Sequence, residues 1–105
     1  MTRIPLVLAA LLVPVAAQAG DAALGKKRAT ACQTCHGMDG LSKMPEAPNL
    51  AGQVEPYLVK QLTEYREGKR SNEIMNVVAK ELSDADIANL AAYYAGIPID
   101  VLPPG

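Results

Sequence analysis

The chain has 105 residues, with 10 basic and 11 acidic side chains and a net charge of −1. That size and balance fit one small domain and exclude the basic stripe by which nucleic-acid binders hold phosphates. There is no Phe and no Trp, and four tyrosines supply all the aromatic bulk, in a size class that already buries a low fraction of its surface.

Residues 1–19 read as an export signal. Met1-Thr2-Arg3 is a short cationic start, Ile4 to Ala16 is uncharged and mostly Leu, Val and Ala, and Ala17-Gln18-Ala19 offers small residues where a signal peptidase cuts. The apolar run is shorter than the roughly 18–20 residues that cross a bilayer, and Pro5 and Pro14 interrupt it. The expectation is cleavage with no membrane span left. The remaining domain, residues 20–105, carries 9 basic and 11 acidic groups because Arg3 leaves with the signal.

Asp21 to about Gln33 predicts a first helix, with Asp21 as N-cap and no internal proline. It runs into Cys32-Gln33-Thr34-Cys35-His36. C-x-x-C-H is the attachment pattern of c-type haem: two thiols three positions apart form thioethers with the two vinyl groups, and the next residue presents an imidazole to the iron. His36 is the only histidine. A structural zinc site needs four ligands, and the chain has no Cys or His beyond these three. A thioredoxin-type redox pair wants alternating strands and helices, and no segment here reads as a strand. The cofactor expected is therefore one covalent haem c. Its flat apolar bulk is expected to supply the core that the side chains do not, leaving the haem-free chain largely unfolded.

From His36 to Gly52 the punctuation of Gly37, Gly40, Pro45, Pro48, Asn49 and Gly52 predicts a loop. Val54, Tyr57, Leu58, Gln61, Leu62 and Tyr65 then recur at helical spacing, up to a stop at Gly68. About Asn72 to Ala79 holds two further turns. Ser83 with Asp86 three residues on forms a capping box, opening a final helix whose inward stripe is Ile87, Leu90, Ala91 and Tyr94 and which Gly96 and Pro98 close. The three prolines in residues 97–105 prevent helix there, and Ile97, Ile99, Val101 and Leu102 are more apolar than a solvated tail needs.

A second axial ligand must come from Met38, Met44 or Met75, unless the iron stays open. Met38 is two residues past His36 and tethered to the same haem face. Met44 lies in a Pro/Gly loop that only just passes the haem edge. Met75 follows a full helix, with ample chain to reach the distal side. Thioether sulfur suits an electron carrier because it stabilises ferrous iron and raises the potential; an ordinary core methionine is the alternative role for Met75.

In chain order, Gly25, Cys32-Gln-Thr-Cys35-His36-Gly37, Ala47-Pro48-Asn49-Leu50-Ala51-Gly52-Gln53, Tyr57-Leu58, Gln61-Leu62, Gly68-Lys69-Arg70, Met75, Leu82-Ser83-Asp84 and Leu90-Ala91-Ala92-Tyr93-Tyr94 make a pattern. It resembles that of the class I c-type cytochromes, of the small bacterial monohaem kind related to one half of the dihaem periplasmic cytochromes. The resemblance runs from Gly25 to Ala95. It implies an all-α class I cytochrome c fold, with three main helices and a short one wrapped around a single haem, and it implies Met75 as the ligand. Pro48 resembles the proline whose carbonyl accepts from the His36 Nδ1–H, though it also suits a plain turn former. Gly25 resembles the glycine at the crossing of the first and last helices, with Tyr93 stacked there. Arg70 resembles the basic residue ahead of the ligand methionine; a haem propionate and open solvent are both suitable surroundings for it. The function implied is periplasmic electron transfer between redox partner proteins, such as a terminal oxidase or a dehydrogenase flavoprotein, and not catalysis. The alternatives are a haem subunit of a dehydrogenase complex, such as a flavocytochrome oxidising sulfide, and a haem enzyme or gas sensor with an open iron.

Overall fold

The computed structural model describes residues 2–7 and 19–105. Most of the expected export signal therefore lies outside the described residues. Among these residues there is no strand, and no helix is long and apolar enough to cross a membrane.

Helix α1 (Ala22–Arg28) starts where the sequence places it, because the Asp21 carboxylate accepts from the Ala23 and Leu24 N–H groups at 2.9 and 3.2 Å. It does not run unbroken to Gln33. Thr30 Oγ1 donates to the Lys27 carbonyl at 3.1 Å, a local bond that competes with helical pairing. The chain tightens into a 3₁₀ turn over Ala29–Ala31 and then resumes as a single turn, α2 (Gln33–His36). The haem motif is thus itself helical, one turn further than the periodicity suggests.

Helix α3 (Glu55–Glu67) carries Pro56 in its first turn, where a missing N–H costs nothing, and ends on Gly68 at φ 78°. Helix α4 (Glu73–Lys80) is capped by Asn72, and α5 (Asp84–Ala95) opens on the expected capping box between Ser83 and Asp86. With α1, the 3₁₀ turn and α2 taken as one broken segment, the described residues form three main helical segments (the others being α3 and α5) and the short α4, matching the expected all-α architecture.

The core is small. Among the described residues, Ala29, Leu58, Ala79, Leu82, Ile87, Leu90, Ala91 and Tyr94 are its buried hydrophobic members, and Ile87 and Leu90 are the largest side chains fully enclosed. All four residues of the expected α5 stripe are among them. Helix α5 packs along α1, with α3 and α4 completing the fold. A Cβ on Gly25 would come within 2.6 Å of the Asn89 carbonyl carbon and 2.8 Å of Tyr93 Cβ, and closer still to the Asn89 oxygen. Close approach of α1 and α5 therefore requires glycine there, the role the resemblance implies. Around the crossing, the Asp21 N–H donates to Asn89 Oδ1 at 2.8 Å and Arg28 pairs with Asp86 at 3.5 Å.

The apolar tail divides. Ile97 packs on the core, the Ile99 side chain lies over Gly52 but remains 58% exposed, and Val101 and Leu102 stand in solvent.

Candidate haem site

The α2 turn places Cys32 and Cys35 at i and i+3, neighbouring positions on a helix surface, with His36 next in line. Both thiols are free. His36 is buried at 8% exposure, yet its imidazole is not left unpaired: Nδ1 lies 2.9 Å from the Pro48 carbonyl oxygen. A carbonyl only accepts, so Nδ1 must carry the proton. The tautomer that follows leaves the Nε2 lone pair free to bind a metal, with a ring orientation fixed by its outer partner.

The loop that brings Pro48 there is held by its own bonds. Gly37, at φ 74°, turns the chain out of α2. The Lys43 N–H donates to the Cys35 carbonyl at 2.8 Å, and the Ser42 N–H to Asn49 Oδ1 at 2.7 Å. The Gly40 carbonyl accepts from Leu50 and Ala51 at 2.8 and 3.0 Å. From α5, the Tyr93 hydroxyl donates to the Met38 carbonyl at 2.6 Å and the Tyr94 hydroxyl to the Gly37 carbonyl at 3.3 Å. Burial pushes the Tyr94 phenol pKa far up, so it stays a protonated donor at every physiological pH.

Above this turn is a cavity of about 570 Å³, within the range of small-molecule sites. Cys32, Cys35, His36 and Met75 all line it, together with Leu50, Leu58, Leu62, Val78, Leu90, Ala91 and Tyr94. Its chemistry fits a haem: apolar walls for the porphyrin, two thiols for thioethers, an imidazole with its outer nitrogen satisfied, and a thioether from a separate helix. Met44, the weaker candidate, also lines the cavity, while Met38 packs against the core instead. Arg70 faces the cavity and is not simply solvated: it lies 4.7 Å over the Tyr65 ring and donates to Gln61 Oε1. Burial pushes the Cys32 thiol up, against the pull of Arg28. A disulfide-exchange pair needs the reverse, a thiol lowered toward thiolate.

The sequence reading gave Asn72 no role beyond the start of a helix. Its Oδ1 accepts from the Ile74 and Met75 N–H groups at 3.0 and 2.9 Å. The signal was present, an Asn immediately ahead of an amphipathic run.

The family model for cytochrome c matches residues 22–96, taking in every element from α1 to α5. The chain belongs to the cytochrome c family. Cytochrome c4 of Pseudomonas aeruginosa is 44% identical to this cytochrome over 98 residues, which cover 93% of this chain and 49% of that protein. Cytochrome c-554(548) of Halomonas halodenitrificans is 45% identical over 80 residues, 73% of this chain and 96% of that protein. A thiosulfate dehydrogenase electron acceptor of Stutzerimonas stutzeri is 40% identical over 101 residues, 87% of this chain and 45% of that protein. The crystal structure of reduced recombinant cytochrome c4 from Pseudomonas stutzeri superposes with a TM-score of 0.70 at 39% identity, covering 74% of this chain and 46% of that one. This cytochrome thus spans about half the length of several curated relatives it matches and nearly all of another. Family and motif together give it one covalently bound haem c on Cys32 and Cys35, with His36 beside them.

Proposed function

We propose that this cytochrome is a periplasmic single-electron carrier whose iron is held by His36 and Met75, acting as residues 20–105 after removal of residues 1–19. The observation that carries the reading is the convergence of the His36 imidazole and the Met75 thioether on the cavity that also holds both cysteines. The haem, when bound, supplies one-electron chemistry between ferrous and ferric iron. The chain's part is to limit rearrangement between the two states. His36 is oriented by Pro48, Met75 stands on a capped helix, and apolar side chains such as Leu58, Leu62 and Val78 line the cavity that would hold the ring. Were His36 and Met75 both to hold the iron, no ligand position would be left for a substrate, which favours a carrier over an enzyme.

The test is Met75→Ala. It should abolish the weak sulfur-to-iron absorption band at the red end of the ferric spectrum and lower the midpoint potential, while Met44→Ala leaves both unchanged. The opposite pattern would transfer the role to Met44. Intact mass of the periplasmic form checks the cleavage after Ala19.

A second reading, a haem subunit serving a dehydrogenase, draws support from the relative named as a thiosulfate dehydrogenase electron acceptor. Co-purification with a dehydrogenase chain would favour it; a lone soluble haem protein would favour the free shuttle.

A further inference from the structure

The corner between α3 and α4 carries a side chain that the electron-transfer reading does not use. A helix end leaves its last carbonyls without intrahelical partners, and at the end of α3 the Tyr65 carbonyl receives only a long bond, 3.4 Å, from the Gly68 N–H. Asn76 supplies the rest. Its Nδ2 donates to the Tyr65 carbonyl at 2.8 Å and to the Arg70 carbonyl at 2.8 Å, and its Oδ1 accepts from the Asn72 N–H at 2.7 Å. One carboxamide thus joins the end of α3, the Gly68–Arg70 turn and the cap of α4, with both of its N–H groups and its oxygen engaged.

We propose that Asn76 is a positioning residue for Met75, holding the first turn of α4 against the end of α3 so that the neighbouring thioether stays in the cavity. The proposal rests on Met75 being the iron's second ligand. Asn76 itself does not line the cavity, whereas Tyr65, Arg70, Asn72 and Met75 all do, so any influence on the site passes through the backbone that it ties. The anchoring matters because α4 has only eight residues, too few to hold a helix by internal bonds alone, and Asn is a poor helix-interior residue. What fixes its register is the Asn72 cap together with the Asn76 clamp. Released from the clamp, α4 keeps its packing through Ala79 but loses the tie at the turn that carries Met75.

The experiment compares competition for the iron by added imidazole in the haem-loaded ferric protein, followed by loss of the sulfur-to-iron band. Asn76→Ala should bind imidazole about tenfold more tightly than wild type, the scale set by losing one or two net hydrogen bonds. Asn76→Asp should do at least as much, because it turns a carboxylate oxygen toward two carbonyls. Arg66→Ala is the matched control: it breaks the Arg66 bonds to the Leu82 carbonyl and to Asp84 at 3.2 and 2.7 Å, away from the cavity, and should leave imidazole affinity unchanged. If Asn76→Ala and Asn76→Asp stay within about twofold of wild type while Met75→Ala binds imidazole tightly, the positioning role is refuted and the ligand assignment survives. If Arg66→Ala raises the affinity equally, general loosening explains the effect and the role is again refuted. If Met75→Ala itself changes nothing, the ligand assignment fails and the proposal falls with it.

Discussion

Gly25→Ala puts the packing of the two terminal helices to a direct test. Taken alone, α1 should gain from the change, since alanine is favoured over glycine in a helix interior by up to about 1 kcal/mol. The surroundings oppose it. The new methyl would stand 2.6 Å from the Asn89 carbonyl carbon and 2.8 Å from Tyr93 Cβ, where ordinary contact begins at 3.4 Å. Both neighbours belong to α5 and one is backbone, so no rotamer relieves the clash. The Asn89 carbonyl oxygen stands closer still, so the helices must separate by more than 1 Å, a gap that forfeits about half of each contact's attraction along the crossing. Overpacking of this kind costs about 1–3 kcal/mol, and a backbone obstacle places Gly25 at the upper end. Against the propensity gain the net loss is about 2 kcal/mol, or a thermal midpoint lower by roughly 8–16 °C for a domain of this size. Thermal unfolding of the haem-loaded protein followed by absorbance measures it. Gly68→Ala is the contrasting case: nothing lies within 4 Å of its Cβ, but φ is 78°, so its cost is the left-handed backbone alone, about 1–2 kcal/mol. A Gly25→Ala midpoint equal to or above wild type would show that α1 and α5 do not meet as described.

Asp86→Ala should cost about 1 kcal/mol at pH 7 by removing half of the capping box. Accepting from the Ser83 N–H holds the Asp86 carboxyl below its ordinary range, with Arg28 adding to the effect, so this stabilisation is complete above the unfolded value near pH 4 and fades as pH falls through the folded one; the wild-type and variant stabilities, measured by denaturant titration, should converge in acid. Replacing Cys32 and Cys35 together by Ala should give a chain that retains no haem through acid–acetone extraction and shows no cooperative melting, since Ile87 and Leu90 are the only large side chains fully enclosed among the described residues. A cooperative transition in that variant would refute haem as the core. Ending the chain after Ala95 should lower the thermal midpoint by roughly 4–8 °C with an unchanged haem spectrum, because Ile97 leaves the core and Ile99 leaves Gly52. Ending it after Ile99 should do almost nothing.

The haem-attachment residues were legible because C-x-x-C-H is a covalent requirement written in five consecutive positions. The α5 stripe and the Ser83–Asp86 box were legible because both are local periodic signals, and the bond from His36 to the Pro48 carbonyl was reachable through the family pattern. The break in the first helix was not, since the pairing of Thr30 with the Lys27 carbonyl competes with helix on equal terms and leaves no trace in hydrophobic spacing. The Asn76 clamp was hidden for a different reason: its partners are backbone carbonyls, and any sequence offers those at every position. The tail's apolar composition does not say which of its residues meet the domain: Ile97 packs on the core, Ile99 lies over Gly52 while staying mostly exposed, and Val101 and Leu102 stand in solvent.

The docking of the first helix onto the last also orders events in time. The Asp21 N–H finds Asn89 across 68 positions of sequence, and closing so long a loop costs entropy before any contact rewards it. Leu90, Ala91 and Tyr94, which wall the cavity, belong to the same late-arriving stretch. A chain emerging from its N-terminus therefore exposes both cysteines well before the helix that encloses them exists. The interval in which a haem can be joined to these thiols without first opening the protein is built into the order of the helices.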